Sequence, residues 1–179
     1  YLSTGDNSTP FDEPDAPFVN NGYAPLNDLP NKEQYDARRS SGNTNDLRGK
    51  IIRIKVNEDG SYDIPEGNLF PKGMDKTRPE IYTMGHRNPY RISVDPKNGY
   101  LYWGEVGPDS REDNFETRGP RGYDEMNQAK EAGNYGWPYF VANNKAYVDY
   151  DYSDGSSGAT FDPAAPINES ANNTGLREL

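Results

Sequence analysis

Alternating apolar and polar positions between residues 50 and 64 predict a β-hairpin. In Lys50–Val56, isoleucine and valine are interleaved with arginine and lysine, which is typical of a strand with one buried face. The polar residues Asn57–Gly60 then supply a tight turn. Tyr62–Ile64 is expected to be the returning strand.

Further short strands follow, separated by turn residues. They are predicted at residues 80–84, 91–94, 100–105 and 123–129. The charged segment 109–122 is expected to be a surface excursion before the last of them. No apolar pattern of helical period persists over ten residues, and the chain contains 18 glycines and 15 prolines. These features predict an all-β fold.

Residues 5–46 form a long irregular insertion, rich in proline, asparagine and aspartate. Its aromatic residues favour an ordered loop packed on a neighbouring surface over disorder; they are Phe11, Phe18, Tyr23 and Tyr35.

The end of the chain is also polar. Residues 149–158 and 163–174 are rich in Asp, Ser, Gly and Asn, which predicts exposed loop or a frayed end. Three parts follow from this pattern: a strand end with the long insertion at 1–46, the strands at 47–140, and a loop-rich continuation at 141–179.

Charge and composition narrow the function classes. Nineteen basic and 29 acidic residues give a net charge of −10, which disfavours binding to nucleic acid or to anionic membranes. The chain has no cysteine, which excludes disulfides and thiolate chemistry. Its strongest apolar stretch, Ile51–Val56, is interrupted by Arg53 and Lys55, so no membrane span is predicted.

The segment Gly85–Pro89 carries the most distinctive side chains. His86 is the single histidine, and it suits a general base, a metal ligand or a turn residue that hydrogen-bonds locally. Pro89 restricts Asn88 to extended conformations, so Arg87 and Asn88 project from a rigid corner. A guanidinium beside an amide suits a planar oxyanion, and the alternative is an arginine that bonds loop carbonyls.

Two further positions suit a hard cation. Consecutive carbonyls at Gly107 and Pro108 can point the same way, as Ca²⁺ requires. Glu125 and the backbone around Tyr135 are a second candidate oxygen site, and the alternative for Glu125 is a solvated strand residue.

Six motifs share the order and spacing of one known family. They are Leu47–Ile54, Ile64–Pro65 with Asn68, Glu80–Tyr82 with Gly85–Pro89, Val106–Pro108, Asp124–Glu125 with Asn127, and Gly133–Pro138. Together they resemble the glucose/sorbosone dehydrogenase family, soluble sugar dehydrogenases that use pyrroloquinoline quinone on a six-bladed β-propeller. The resemblance covers roughly residues 47–140.

The resemblance implies a role for each matching residue. Arg87, Asn88 and Val106 would contact the quinone. The carbonyls of Gly107 and Pro108 would hold the Ca²⁺ that polarises it, whereas Glu125 and the carbonyl of Tyr135 would belong to a second, structural calcium site. Asn7 would lie near the sugar.

The resemblance assigns no catalytic residue to this chain. In the family, the histidine that takes the sugar hydroxyl proton precedes the segment resembling Tyr1–Gly5, and His86 is not its equivalent. The chain starts without methionine and corresponds to about two of the six blades of a partial propeller with long insertions. We therefore expect a piece of a longer, periplasmic or extracellular protein, whose partners are a sugar, the remaining blades and, through open sheet edges, other copies of itself.

Two functions remain open for the parent protein. One is oxidation of a sugar hydroxyl by hydride transfer to the quinone with Ca²⁺. The alternative is a noncatalytic carbohydrate- or protein-binding propeller.

We predict that the 179-residue chain alone does not oxidise sugars, because it lacks the catalytic base. The measurement is dye-linked sugar oxidation by the purified chain supplied with pyrroloquinoline quinone and Ca²⁺. Turnover above the level without protein would contradict this expectation.

Overall fold

The computed structural model describes residues 1–11 and 22–179, and within them regular structure is almost entirely β. The strands are β1 (Leu2–Thr4), β2 (Lys50–Ile52), β3 (Lys55–Val56), β4 (Tyr62–Asp63), β5 (Ile81–Met84), β6 (Pro89–Val94), β7 (Leu101–Glu105), β8 (Glu125–Ala129), β9 (Gly133–Asn134), β10 (Phe140–Val141), β11 (Lys145–Ala146), β12 (Val148–Asp151) and β13 (Ser156–Thr160). Two single-turn 3₁₀ helices span Glu33–Tyr35 and Ala37–Arg39. The predicted all-β class is confirmed.

Two sheets organise these strands. One has the order β1-β2-β5-β9, in which β9 pairs parallel to β5 and the other neighbours are antiparallel. The second is the antiparallel meander β6-β7-β8. β3-β4, β10-β11 and β12-β13 form separate two-stranded pairs. Across the described ranges the sheets do not close into a ring, so the propeller remains a prediction.

The predicted hairpin is present, but its first strand is divided. β2 is buried inside the four-stranded sheet, whereas β3 is exposed and pairs with β4. Arg53 lies at the break, where its Nε donates to Asn68 Oδ1 at 2.8 Å and its guanidinium lies 4.6 Å from the centre of the Tyr82 ring. The Arg53 carbonyl accepts from Asn68 Nδ2 at 2.9 Å, so a side chain takes the place of a strand partner at the break.

The core lies between the sheets and continues under the long insertion. Its central cluster contains Ile51, Tyr82, Leu101, Trp103 and Ala129. Two neighbouring clusters include residues of the insertion, with Tyr23 and Ala37 in one and Leu26 in the other. The expectation of an ordered, packed loop is confirmed for residues 22–46, whereas Phe18 lies outside the described residues. No helix within the described ranges has the length and apolar character needed to cross a membrane.

The expectation of exposed loop or frayed end at residues 149–158 and 163–174 is wrong in two respects. Residues 149–158 are mostly exposed, as expected, but they belong to the hairpin of β12 and β13 instead of a loop. Farther on, Asn168 is buried and its Nδ2 donates to the carbonyls of Arg38 and Gly42 at 2.8 and 2.9 Å. The Ser170 hydroxyl donates to the buried Asp36 carboxylate at 2.6 Å. These polar side chains are buried because the insertion offers them carbonyl and carboxylate partners.

A buried lysine fastens the insertion to the sheet. The Lys50 side chain is fully buried, and its ammonium donates to the carbonyls of Ser40, Ser41 and Arg48 at 2.8, 2.9 and 2.8 Å. Burial lowers the pKa of Lys50 to about 7, while the nearby Asp46 and Asp6 raise it. The ammonium has three N–H groups, and each of them is used.

We expect Lys50→Met to destabilise the chain by at least about 3 kcal/mol, because the three carbonyls around the ammonium would each lose a donor at about 1–3 kcal/mol. Lys55→Met, at an exposed lysine of β3, is the matched control and should change stability by less than about 0.5 kcal/mol. Urea unfolding followed by tryptophan fluorescence measures both. Equal effects of the two variants would show that the carbonyl cage contributes nothing.

Candidate functional site

The turn at Gly85–Pro89 is the place where three distant segments meet. The His86 amide donates to the Gly49 carbonyl, and the Asp6 amide donates to the Arg87 carbonyl at 2.8 Å. The Trp137 amide donates to the Gly85 carbonyl at 3.1 Å. Gly85 has a φ of +77°, and a Cβ there would lie 2.3 Å from Asn134 Oδ1, so the close approach requires glycine.

The three residues assigned to a cofactor lie together on this turn and the strand end beside it. One terminal nitrogen of Arg87 donates to the Val106 carbonyl at 2.8 Å, and the Val106 amide donates to the Asn88 carbonyl at 3.0 Å. Arg87 Nε is buried and has no hydrogen-bond partner in the described part of the chain. Arg87 therefore combines both alternatives, since it bonds a loop carbonyl and also keeps a free donor.

The Asn88 side chain is half-buried. Within residues 1–11 and 22–179 the side-chain amide makes no hydrogen bond, although the backbone N–H and carbonyl of Asn88 are both bonded. A guanidinium donor and an amide that are held in place without partners are suited to a ligand that carries carbonyl or carboxylate oxygens.

The predicted calcium turn is packed against the chain that precedes β8. The Gly107 amide donates to Asp124 Oδ1 at 2.9 Å. A Cβ on Gly107 would lie 2.2 Å from the Tyr123 oxygen, and one on Gly122 would lie 1.8 Å from the Pro108 oxygen. The Pro108 carbonyl thus lies against Gly122, and its calcium role stays a prediction.

Glu125 is half-buried and already bonded, and is not the solvated strand residue of the alternative interpretation. Its carboxylate accepts hydrogen bonds from the Ala142 amide at 2.5 Å and from Asn127 Nδ2 at 3.2 Å. Burial raises the pKa of Glu125 above its ordinary value, against the lowering effect of these two hydrogen bonds.

One small cavity brings four of the eight predicted site residues together. Arg87, Gly107, Glu125 and Tyr135 all line it, and its volume of about 10 Å³ is on the order of a single water. The other four, Asn7, Asn88, Val106 and Pro108, do not line it. No group of three or more His, Cys, Asp and Glu side chains placed to hold a metal occurs in the described ranges, so a cation here would depend on carbonyl oxygens.

An open cleft of about 440 Å³ lies beside this cavity. Glu125, Tyr135 and Phe140 line both spaces, and the cleft adds the amides of Asn134 and Asn144. Amide groups beside aromatic rings suit a polar ligand with apolar faces.

Asn7 is exposed, and its φ of 60° places it in the left-handed region that asparagine tolerates. Its carbonyl accepts a hydrogen bond from Arg39 at 2.6 Å, which leaves the side chain at the surface. The predicted proximity of Asn7 to a substrate is untested by these contacts.

The buried neighbour Asp6 has the denser contacts. Its carboxylate accepts from Trp137 Nε1 at 2.7 Å and from the Ser8 amide and hydroxyl at 2.9 and 2.6 Å. Burial raises the pKa of Asp6, against the lowering effects of Ser8, Trp137 and Arg87. The sequence interpretation missed Asp6, although its place in the Gly5–Asn7 turn was a signal.

His86 is a buried structural residue. Its side chain is fully buried, with Nδ1 lying 3.1 Å from Glu105 Oε2 and Nε2 lying 2.8 Å from Thr83 Oγ1. Both ring nitrogens are therefore engaged away from solvent, which agrees with the locally hydrogen-bonded alternative. Glu105 is a second residue that the sequence interpretation missed.

The family profile and the similar proteins all indicate one family of sugar dehydrogenases. A profile described as Glucose / Sorbosone dehydrogenase matches residues 31–176. Quinoprotein glucose dehydrogenase B from Acinetobacter calcoaceticus is 37% identical over 134 residues, which cover 73% of this chain and 24% of that protein. Aldose sugar dehydrogenase YliI from Escherichia coli K12 is 33% identical over 105 residues, which cover 59% of this chain and 24% of that protein.

A solved structure is similar as well. The soluble aldose sugar dehydrogenase from Escherichia coli, in its apo-form, has 26% sequence identity and a TM-score of 0.39 over 66% of this chain and 27% of that one. The chain thus spans about a quarter of the length of the curated relatives it matches.

We expect Asp6→Asn to destabilise the chain by about 1–3 kcal/mol at neutral pH, because the introduced amide group would face the indole N–H or the Ser8 donors. The pKa of Asp6 in the folded chain lies above its ordinary value of 3.8. The stability of the wild type therefore falls as the pH rises from 3.8 through the folded pKa, and Asp6→Asn lacks this pH dependence. Thermal unfolding between pH 3 and 8 measures both effects. Asp63→Asn, on exposed β4, is the control, and an equal loss there would contradict the role of Asp6.

Proposed function

Because the chain belongs to the Glucose / Sorbosone dehydrogenase family, as its motifs predicted, we propose that it forms part of a sugar dehydrogenase that uses pyrroloquinoline quinone and Ca²⁺. The name of the relative that is 37% identical, a quinoprotein glucose dehydrogenase, supports a quinone cofactor. The proposed architecture is a six-bladed propeller, of which this chain supplies about two blades.

One observation carries the proposal: Arg87 and Asn88 are rigidly placed and hold unmade hydrogen bonds. Arg87 Nε is buried without a partner in the described residues, and the side-chain amide of Asn88 makes no hydrogen bond there, although its backbone N–H donates to Glu105. A buried unpaired N–H costs free energy unless a ligand or water satisfies it. Quinone carbonyl and carboxylate oxygens are suitable acceptors, so the residues fit the cofactor.

When bound, the quinone would supply the hydride-accepting group for oxidation of a sugar hydroxyl. Arg87 and Asn88 would orient it, and the positive charge of Arg87 would favour an oxyanion beside it. The Val106 carbonyl would fix the guanidinium through its hydrogen bond of 2.8 Å. Asn7, at the exposed turn beside Asp6, would contact the sugar.

Calcium would be held by oxygen ligands. The carbonyls of Gly107 and Pro108 are proposed for the ion beside the cofactor, and Glu125 with the Tyr135 carbonyl for a structural ion. Gly107, Glu125 and Tyr135 border one cavity, which supports a cation close to Arg87.

The remaining blades would complete the site, because the relatives are about four times the matched length. A periplasmic or extracellular location is proposed with the family assignment. The proton-accepting base would come from outside this chain, since the ring nitrogens of the lone His86 are buried and engaged.

A noncatalytic carbohydrate-binding module is the second candidate. The open cleft of about 440 Å³ favours it, because Asn134, Asn144 and Tyr135 suit sugar hydroxyls and sugar faces without any redox chemistry. The two candidates differ in whether the quinone binds.

Calorimetric titration of the full-length protein with pyrroloquinoline quinone, with and without Ca²⁺, tests the proposal. We expect saturable binding that Ca²⁺ strengthens. Arg87→Gln should weaken it about 10- to 100-fold, as loss of a charge-assisted hydrogen bond requires. Arg91→Gln, at an exposed arginine on β6, is the matched control and should leave the affinity unchanged.

Each outcome decides between the candidates. Absence of quinone binding in both calcium conditions would overturn the dehydrogenase proposal and favour the binding module. Equal weakening by Arg87→Gln and Arg91→Gln would contradict the placement of the cofactor beside Arg87.

A further inference from the structure

We propose that Glu105 is a positioning residue for the cofactor turn, acting with His86 as a buried polar pair behind Arg87 and Asn88. The inference rests on the proposed function, because it concerns the same site. Neither residue is proposed to touch the quinone. Their role is to hold the backbone from which the two ligand-facing side chains project.

Three hydrogen-bonding groups converge on the buried Glu105 carboxylate. Its Oε1 accepts a hydrogen bond from the Asn88 amide at 2.6 Å. Its Oε2 accepts from Trp103 Nε1 at 3.0 Å and lies 3.1 Å from His86 Nδ1. Glu105 is 9% exposed and ends β7, where it pairs across the sheet with Pro89 and Glu125.

The proton arrangement follows from which groups can only donate. The backbone N–H of Asn88 and Trp103 Nε1–H can donate a hydrogen bond and cannot accept one. Both therefore require acceptor oxygens, and the carboxylate provides one on each side. We infer that His86 donates from Nδ1 to Glu105 and accepts at Nε2 from the Thr83 hydroxyl, 2.8 Å away.

The pair of Glu105 and His86 also contacts Tyr135, whose carbonyl is proposed for the structural calcium ion. The His86 ring stacks on the Tyr135 ring with centroids 5.5 Å apart, and both rings contact Trp103 edge to face. The Tyr135 amide donates to the Met84 carbonyl, one residue before the cofactor turn begins. A displacement of His86 would thus move both Asn88 and the turn that carries the Tyr135 carbonyl.

The Asn88 contact distinguishes a positioning role from simple core filling. Glu105 bonds the backbone of Asn88 and leaves its side-chain amide unbonded within the described residues, so the residue is fixed while its ligand-binding group stays available. An apolar side chain could fill the same volume between Trp103 and His86. It could not satisfy three converging donors.

The test uses Glu105→Gln, which keeps the size of the side chain. The introduced amide can accept from Asn88 only by turning its NH₂ group towards Trp103 Nε1–H, where two donors would face each other. We expect quinone affinity of the full-length protein to fall about 10- to 100-fold, the effect seen when an outer-shell contact that orients a metal ligand is lost. Glu131→Gln, at an exposed position after β8, is the control and should bind as wild type.

A double variant makes the test specific. Trp103→Phe removes the indole N–H, which can only donate. The double variant, Glu105→Gln with Trp103→Phe, should therefore bind the quinone with nearly the affinity of Trp103→Phe alone. A merely structural role predicts the opposite, that the two losses add. Near-UV circular dichroism confirms that each variant is folded, and Glu105→Asp, which lacks the NH₂ group but has a shorter reach, replaces Glu105→Gln if the latter does not fold.

A second readout needs no cofactor. Hydrogen exchange of the Asn88 amide in the 179-residue chain should become at least about tenfold faster in Glu105→Gln than in wild type or Glu131→Gln. Unchanged exchange together with unchanged quinone affinity in folded Glu105→Gln would overturn the positioning role. If wild type binds no quinone, the proposed function fails, and the exchange rates alone decide whether Glu105 fixes Asn88.

Discussion

Lys50, Asp36, Asp6 and Glu105 are buried charged groups that are hydrogen-bonded within the protein, and the architecture of the described residues depends on these contacts. Only 32% of the residues are hydrophobic, so apolar burial alone cannot close the long insertion over the sheet. Lys50 bonds three carbonyls of the insertion and the segment that follows it, and Asp36 bonds Arg38 within the insertion and Ser170 near the end of the chain. Such contacts join parts of the chain that are far apart in sequence.

The candidate site also contains buried carboxylates that are hydrogen-bonded within the protein, but two of its side chains keep unbonded groups. The carboxylates of Asp6 and Glu105 each accept hydrogen bonds from several donors, and these bonds hold neighbouring segments together. Arg87 and Asn88 lie between them, and both retain unbonded groups in the described residues. Ser110 Oγ and the hydroxyls of Tyr139 and Tyr147 also lack partners in the described residues, but Arg87 and Asn88 are the two such residues on the fixed turn at Gly85–Pro89. Side chains that are already held in place lose less conformational freedom when a ligand binds, so this turn is preorganised.

Much of this arrangement was predictable from short-range patterns. The turn at residues 57–60, the strands near 81–84 and 101–105, and the rigid corner before Pro89 depend on local alternation and on proline and glycine. The motif order also pointed to the correct family. Predictions failed where distant partners decide the outcome: Asn168 and Ser170 look like exposed loop residues until the carbonyls and the carboxylate of residues 36–42 are placed beside them.

The sequence by itself determined the all-β class, the family and the position of Arg87 and Asn88 in the turn before Pro89, because turn chemistry and motif spacing are local properties. Only the tertiary structure showed that His86 is buried against Glu105, that Asp6 bonds Trp137, and that Gly107, Glu125 and Tyr135 border one cavity. These contacts join strands and turns far apart along the chain. Which side chain becomes buried and which stays free is decided by the packing of those segments against one another.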